Sequence, residues 1–203
     1  MNLASQEKFN QLQIISAPFA GLLYDVDGTL ADNIVAHKAA YAATAAEYGI
    51  TLDIDLIDET AGWPTVAVAK EITKRYQKDF DILEFAKRKS AVFIERFVNE
   101  TQPIDFVVSH LKSNQGLKKI GIVSGGSRST LDITLGVIDV HGRYETLVCA
   151  GDTPLGKPSP QPFLLAAQQL GLRPEECIVF EDGDPGVQGA ISAGMAWVRI
   201  DQL

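Results

Sequence analysis

Apolar positions along the chain follow two regimes. Residues 32–102 carry only stripes of helical period. From residue 103 onward, such stripes alternate with short, unbroken apolar runs. The runs at 21–24, 119–123, 146–150, 177–180 and 196–200 predict short buried strands, since each stops at polar or glycine-rich sequence. Between the later runs, the spacing predicts helices over 103–114 (Ile104, Val107, Val108, Leu111), 129–138, 161–170 and 185–193. In the middle block, 33–48 is alanine-rich with Ile34, Tyr41, Ala45 and Tyr48 at helical spacing, and Gly49 is its stop signal. A second stripe, Val66, Ala69, Thr73 and Tyr76, predicts a helix over 65–76. A third, Leu83, Ala86, Ser90, Phe93 and Phe97, predicts one over 81–98. Residues 1–17 form a polar helix or arm to which no chemistry is assigned.

Strands that recur every 20 to 30 residues with helices between them imply right-handed crossovers and a parallel sheet. The fold class is α/β. The polar sequence falls repeatedly at the C-terminal ends of the strands, the edge where open parallel sheets bind ligands. The all-helical insert, 32–102, leaves from that same edge and is expected to sit over it as a lid. Segments 31–33 and 100–103 are its hinges.

Length and composition narrow the function. The chain has 203 residues, 46% apolar and 22% charged, with a net charge of −8, which argues against a nucleic-acid face or a membrane partner. No apolar run reaches membrane-spanning length, and the polar start resembles no signal peptide, so a cytoplasmic protein is expected. Cys149 and Cys177 both lie in strand-like runs and are read as buried thiols. A monomer is expected.

The chemistry concentrates in four segments. Asp25-Val26-Asp27-Gly28-Thr29 follows the first run, and two carboxylates at that spacing can converge on one point if the chain turns there. A divalent cation would relieve their repulsion, leaving one acid as nucleophile toward phosphorus and the other as proton donor. Ser124-Gly125-Gly126 ends a strand and opens a helix, offering a hydroxyl and free backbone N–H groups to an anion. Lys157 stands in a proline-stiffened Gly-Lys-Pro-Ser-Pro segment, and Glu181-Asp182 supplies hard oxygen ligands suited to Mg²⁺.

In their order and strand-end placement, these four segments resemble the motif set of the haloacid dehalogenase superfamily over about 21–200. The insert resembles the C1 cap of the β-phosphoglucomutase-like subgroup, and the segments 61–65 and 180–188 look most like its small sugar-phosphate phosphatases. The resemblance implies a Rossmann-like catalytic core (1–31 and 103–203), a helical cap (32–102) and a Mg²⁺-dependent phosphatase acting on a small phosphorylated metabolite. It implies that Asp25 becomes an aspartyl phosphate and that Asp27 protonates the leaving oxygen and later deprotonates water. Mg²⁺ would be held by Asp25, the Asp27 backbone carbonyl and Asp182, with Glu181 in the outer shell, while Ser124, Gly125 and Lys157 hold the phosphoryl oxygens.

Other assignments stay open. Ser124 is expected to cap the next helix as well as bind phosphate. Asp184 is read as the cap of a helix opening at Pro185 in preference to a reserve metal ligand, and Arg128 as a phosphate contact or a surface salt bridge. His37 is either a partner of Asp27 or an ordinary helix-face histidine; Trp63 is either cap core or a sugar-stacking wall. The competing function is a phosphoglucomutase-type transfer, disfavoured because Thr65 stands where the subgroup's mutases place an arginine. A metal-independent dehalogenase and a non-catalytic binding module are the remaining readings.

Overall fold

A computed structural model describes all residues, 1–203. In chain order the elements are α1 (Leu3–Ser16), β1 (Gly21–Tyr24), β2 (Ala31–Asp32), α2 (Ile34–Glu47), α3 (Asp55–Glu59), α4 (Thr65–Tyr76) and α5 (Ile82–Arg96). They continue with β3 (Gln102–Pro103), α6 (Asp105–Asn114), β4 (Lys119–Val123), α7 (Arg128–Val137) and β5 (Thr146–Val148). Last come α8 (Gln161–Leu170), β6 (Cys177–Glu181), α9 (Asp184–Ser192) and β7 (Ala196–Arg199).

The five longer strands form one parallel sheet in the order β5-β4-β1-β6-β7. β1 is wholly buried, as a strand covered on both faces must be. Alternation splits its side chains between two cores. Leu22 and Tyr24 join Ile120, Ile122, Ile178 and Phe180 beneath α1, α6 and α7. Leu23 joins Val123 and Val179 beneath α8 and α9. Tyr24 pairs with Ile122 on one side and Phe180 on the other, so the residue after it, Asp25, emerges between the ends of β4 and β6. No helix is long and apolar enough to cross a membrane.

Residues between β2 and β3 pack into their own two apolar clusters, one around Tyr41, Ile72 and Phe85 and one around Ala40, Val92 and Phe93. The buried faces of α4 (Val68, Ala69, Ile72) and α5 (Phe85, Ala86, Lys89, Val92, Phe93) lie about one position round from the expected stripes. Val66 and Leu83, which anchored those stripes, are exposed. One position is a rotation of about 100° on a helix, enough to exchange solvent for core. Two elements were not expected at all: the one-turn-and-a-half α3, and the two-residue antiparallel ladder in which Ala31 faces Pro103 and Asp32 faces Gln102.

The N-terminal segment, given no role above, is tied into the core. Leu12 and Ser16 are buried against α6, and Lys118 Nζ donates to the Ser16 and Ala17 carbonyls at 2.9 Å, satisfying the end of α1. Buried His110 on α6 bonds to Ser16 Oγ at 2.9 Å and to Tyr24 OH at 2.8 Å. Burial, aided by the charge of Lys118, pushes its pKa down to about 4. A depressed histidine is neutral when folded yet protonates when unfolded, so its contribution to stability is full above about pH 6.5 and is lost as pH falls toward 4. The urea midpoint should therefore drop across that window, and His110→Gln should flatten the dependence; equal slopes in both proteins would contradict it.

Candidate active site

The site forms where β1, β4 and β6 end. Asp25 is 7% exposed and receives Lys157 Nζ on Oδ1 at 2.6 Å. The same ammonium donates to the Val123 carbonyl at 2.8 Å and forms an ion pair with Glu181. Burial works against that charge, and Asp25 and Glu181 more than offset it, so Lys157 is held above its ordinary range. The carboxylates respond in the opposite sense. Burial and then the charge of Asp25 push Glu181 up to about 8 and Asp182 up to about 7.

Carboxylate oxygens of Asp25, Glu181 and Asp182 lie within 4.8 Å of one another. Their hardness, number and raised proton affinity fit a divalent cation such as Mg²⁺. The backbone makes room for this cluster: Gly28 has φ +83°, and a side chain there would run into the Asp182 carboxylate. Glu181 thus belongs to the same acidic group as Asp25 and Asp182, although its own partner is Lys157. The Asp27 carboxylate is engaged elsewhere, accepting from Asn33 Nδ2 at 2.6 Å and meeting His37 Nε2 at 3.1 Å.

His37, on α2, bridges Asp27 and Lys89 of α5. Its Nδ1 is 2.6 Å from Lys89 Nζ, and its ring stacks on Phe93 at 4.0 Å. An ammonium only donates, so Nδ1 accepts and Nε2–H points to Asp27, a tautomer assigned from these contacts. Burial raises Asp27, but His37, Asn33 and Lys89 together hold it well below the usual carboxylate range. Part of that depression presupposes a charged His37, whereas burial and Lys89 push His37 itself down. The contacts favour the neutral ring, which still stabilises ionised Asp27 by donation.

Lys89 was missed from sequence. It is 4% exposed, lies 4.4 Å over the Tyr41 ring, and burial lowers its pKa to about 8. Its signal was a lysine beside Ala86 and Phe93 on one helical face, overlooked because the stripe was drawn through Ser90.

Ser124 is nearly buried at the end of β4, where its Oγ accepts from Gly126 N at 3.1 Å. It does not cap α7. That helix starts at Arg128, and Ser127 is its N-cap, accepting from Thr130 N. Asp184 does not cap α9 either. The helix begins one residue earlier than expected, with Gly183 at the cap position, which leaves Asp184 in the first turn and paired with Arg199. Arg128 is a salt-bridge residue, 2.7 Å from Asp152.

Loop 61–64 of the insert descends onto the core. A methyl on Gly125 would stand 3.1 Å from the Gly62 carbonyl oxygen, and one on Gly156 would stand 2.9 Å from Pro64 Cγ. Trp63, 38% exposed, lines the resulting cleft with Thr65, and the cleft has a free volume of about 130 Å³. Asp25, Asp27, Ser124, Gly125, Glu181, Asp182, His37 and Trp63 all face it, with Lys157 reaching Asp25 from behind.

Comparisons with known proteins agree with this arrangement. Residues 22–200 match the pattern that defines haloacid dehalogenase-like hydrolases. Fructose-1-phosphate phosphatase YqaB of Escherichia coli is 31% identical over 185 residues, covering 91% of this chain and 98% of the relative. A phosphorylated carbohydrates phosphatase of Thermotoga maritima is also 31% identical over 185 residues, 86% of this chain and 81% of its own. The crystal structure of CbbY from Rhodobacter sphaeroides in complex with phosphate superposes with a TM-score of 0.81 at 19% identity, over 88% of this chain and 84% of that one. The fold, the strand-end cluster and these matches together place the chain in the haloacid dehalogenase-like hydrolase family.

Proposed function

We propose that the protein is a Mg²⁺-dependent phosphatase that hydrolyses a small sugar phosphate through an aspartyl phosphate on Asp25. One observation carries this reading: Asp25, Ser124 and Asp182, from three separate segments, line one cleft, and the buried ammonium of Lys157, from a fourth, holds the Asp25 carboxylate at 2.6 Å from behind. The sugar-phosphate phosphatases among the relatives support it. In this reading residues 1–31 and 103–203 are the catalytic core and 32–102 the cap.

Asp25 attacks phosphorus, while Lys157, Ser124 Oγ and the Gly125 N–H hold the equatorial oxygens. Asp27, ionised in the resting site, gains a proton as the phosphate dianion beside it raises its proton affinity, and gives that proton to the leaving sugar oxygen. Returned to the carboxylate, it takes a proton from the water that cleaves the aspartyl phosphate. His37 and Lys89 keep its oxygen aimed at that position. Asp25, Asp182 and the Asp27 carbonyl would hold Mg²⁺, with Glu181 behind them; when bound, the ion supplies positive charge to the transferring phosphoryl group. The cap loop shuts out bulk water during transfer.

The deciding assay incubates the protein with sugar monophosphates and Mg²⁺ and measures free phosphate against isomerised sugar phosphate. Phosphate release is expected; isomer without phosphate would make the protein a mutase. A metal effect should also be visible without turnover. Mg²⁺ at a hundredfold excess over its dissociation constant should raise the melting temperature by roughly 5–10 °C. Asp182→Asn should remove most of that rise, and an unchanged rise would argue against this metal site.

A further inference from the structure

This inference rests on the phosphatase reading and concerns what the leaving group must be. The cleft is lined by five carboxylates, Asp25, Asp27, Asp58, Glu181 and Asp182, and by one ammonium, Lys89. A bound phosphoryl group finds its compensation in Lys157, which reaches Asp25 from behind, and in the cation suited to the acidic cluster. No comparable charge is left for a second anion. Lys89 is committed to His37 at 2.6 Å and stacked against Tyr41. Asp58 is paired with Lys38 at 2.6 Å, and of the two it is the carboxylate that lines the cleft. The remaining polar lining on the cap side consists of His37 and of hydroxyls, Tyr41, Thr60, Thr65 and Ser90, beside the Trp63 indole. Hydroxyls exchange hydrogen bonds with other hydroxyls, and an indole face packs on the C–H surface of a sugar, but neither neutralises an anion.

We infer that the cleft selects phosphate monoesters of uncharged, hydroxyl-bearing leaving groups and rejects those that carry a second phosphate or a carboxylate, with Asp58 as the residue that sets this charge selection at the mouth. Like charges brought together in a partly desolvated cleft are strongly disfavoured.

The test compares kcat/KM for fructose 1-phosphate, fructose 1,6-bisphosphate and 2-phosphoglycolate with Mg²⁺ at low ionic strength, in the wild type and in Asp58→Asn. Phosphoglycolate is smaller than fructose 1-phosphate, so its rejection cannot be steric. Both charged esters are expected to fall at least ~30-fold below fructose 1-phosphate, with the gap narrowing in 0.3 M KCl as screening sets in. Asp58→Asn frees Lys38 and should shrink the gap by about five- to tenfold. Efficient hydrolysis of either charged ester by the wild type, or a gap that neither salt nor the substitution moves, overturns the charge selection and leaves the phosphatase reading standing. Failure of the wild type on all three esters and on p-nitrophenyl phosphate removes the phosphatase reading and this inference together. Should Asp58→Asn not fold, the wild-type ratios and their salt dependence decide.

Discussion

Asp25→Asn is expected to leave a folded protein that releases phosphate at least ~10⁴-fold more slowly than the wild type, because in the proposed mechanism the carboxylate is the group that takes the phosphoryl. The amide keeps the shape of the acid and cannot attack. Folding should survive. Burial, and after it the charge of Asp27, raises the proton affinity of Asp25, partly offset by Lys157, so ionised Asp25 is an uncomfortable guest in the folded state. Lys157 keeps Glu181 and the Val123 carbonyl as partners after the change. The melting temperature should therefore stay within a few degrees while turnover collapses, and single-turnover phosphate release would measure the loss. Residual activity within a hundredfold of wild type would mean that Asp25 is not the acceptor.

Lys157→Met should damage both stability and activity. Its ammonium is 3% exposed and stands between Asp25 and Glu181, with Asp182 close by. Removing one partner of a buried ion pair commonly costs about 3–5 kcal/mol, here a melting temperature lower by roughly 6–20 °C. The loss should depend on pH. Glu181, ordinarily near 4.5, already stands at about 8 in the folded protein with Lys157 present, and without it the carboxylates must hold protons even more tightly. A carboxylate raised on folding contributes stability that is full below its unfolded pKa and is lost as pH rises through the folded one. Both proteins lose stability from Glu181 between about pH 4.5 and 8, so the variant's extra deficit should open only above about pH 8 in metal-free buffer, where wild-type Glu181 has ionised and the variant's still holds its proton. A deficit that does not change with pH would place the cost in packing around Phe163 rather than in charge.

Much of the core was legible because strand ends carry loud signals. The apolar runs before Asp25, Ser124 and Glu181 each stop at an acid, a serine or a glycine, and those stops line the cleft. The helical insert was legible as helices but not as faces. Its stripes are diluted by alanine and threonine, so Val66 and Leu83 drew the eye although Val68, Ile72 and Phe85 are the buried residues. Lys89 was hidden for a related reason: a charged residue on a core face reads as an error until a partner such as His37 is placed beside it. The caps of α7 and α9 were misplaced by shifts of one to three residues, which changes the role of Ser124, Ser127 and Asp184 completely. The bond from His110 to Ser16 joins residues 94 positions apart and leaves no local trace in sequence.

The short ladder between β2 and β3 matters beyond its size. Ala31 and Pro103 face each other across it, and Ile104 N reaches the Leu30 carbonyl at 2.9 Å, so the outgoing and returning chains run side by side. Along the chain, everything beyond that stem is a side branch joined at one place, although loop 61–64 and the bonds from Asn33 and His37 to Asp27 also rest it on the core. A tight turn grafted across the stem would spare every strand register, and a branch of different length or shape would be equally acceptable there. The architecture thus lets the insert be rebuilt while the sheet and the carboxylates at its strand ends stay still.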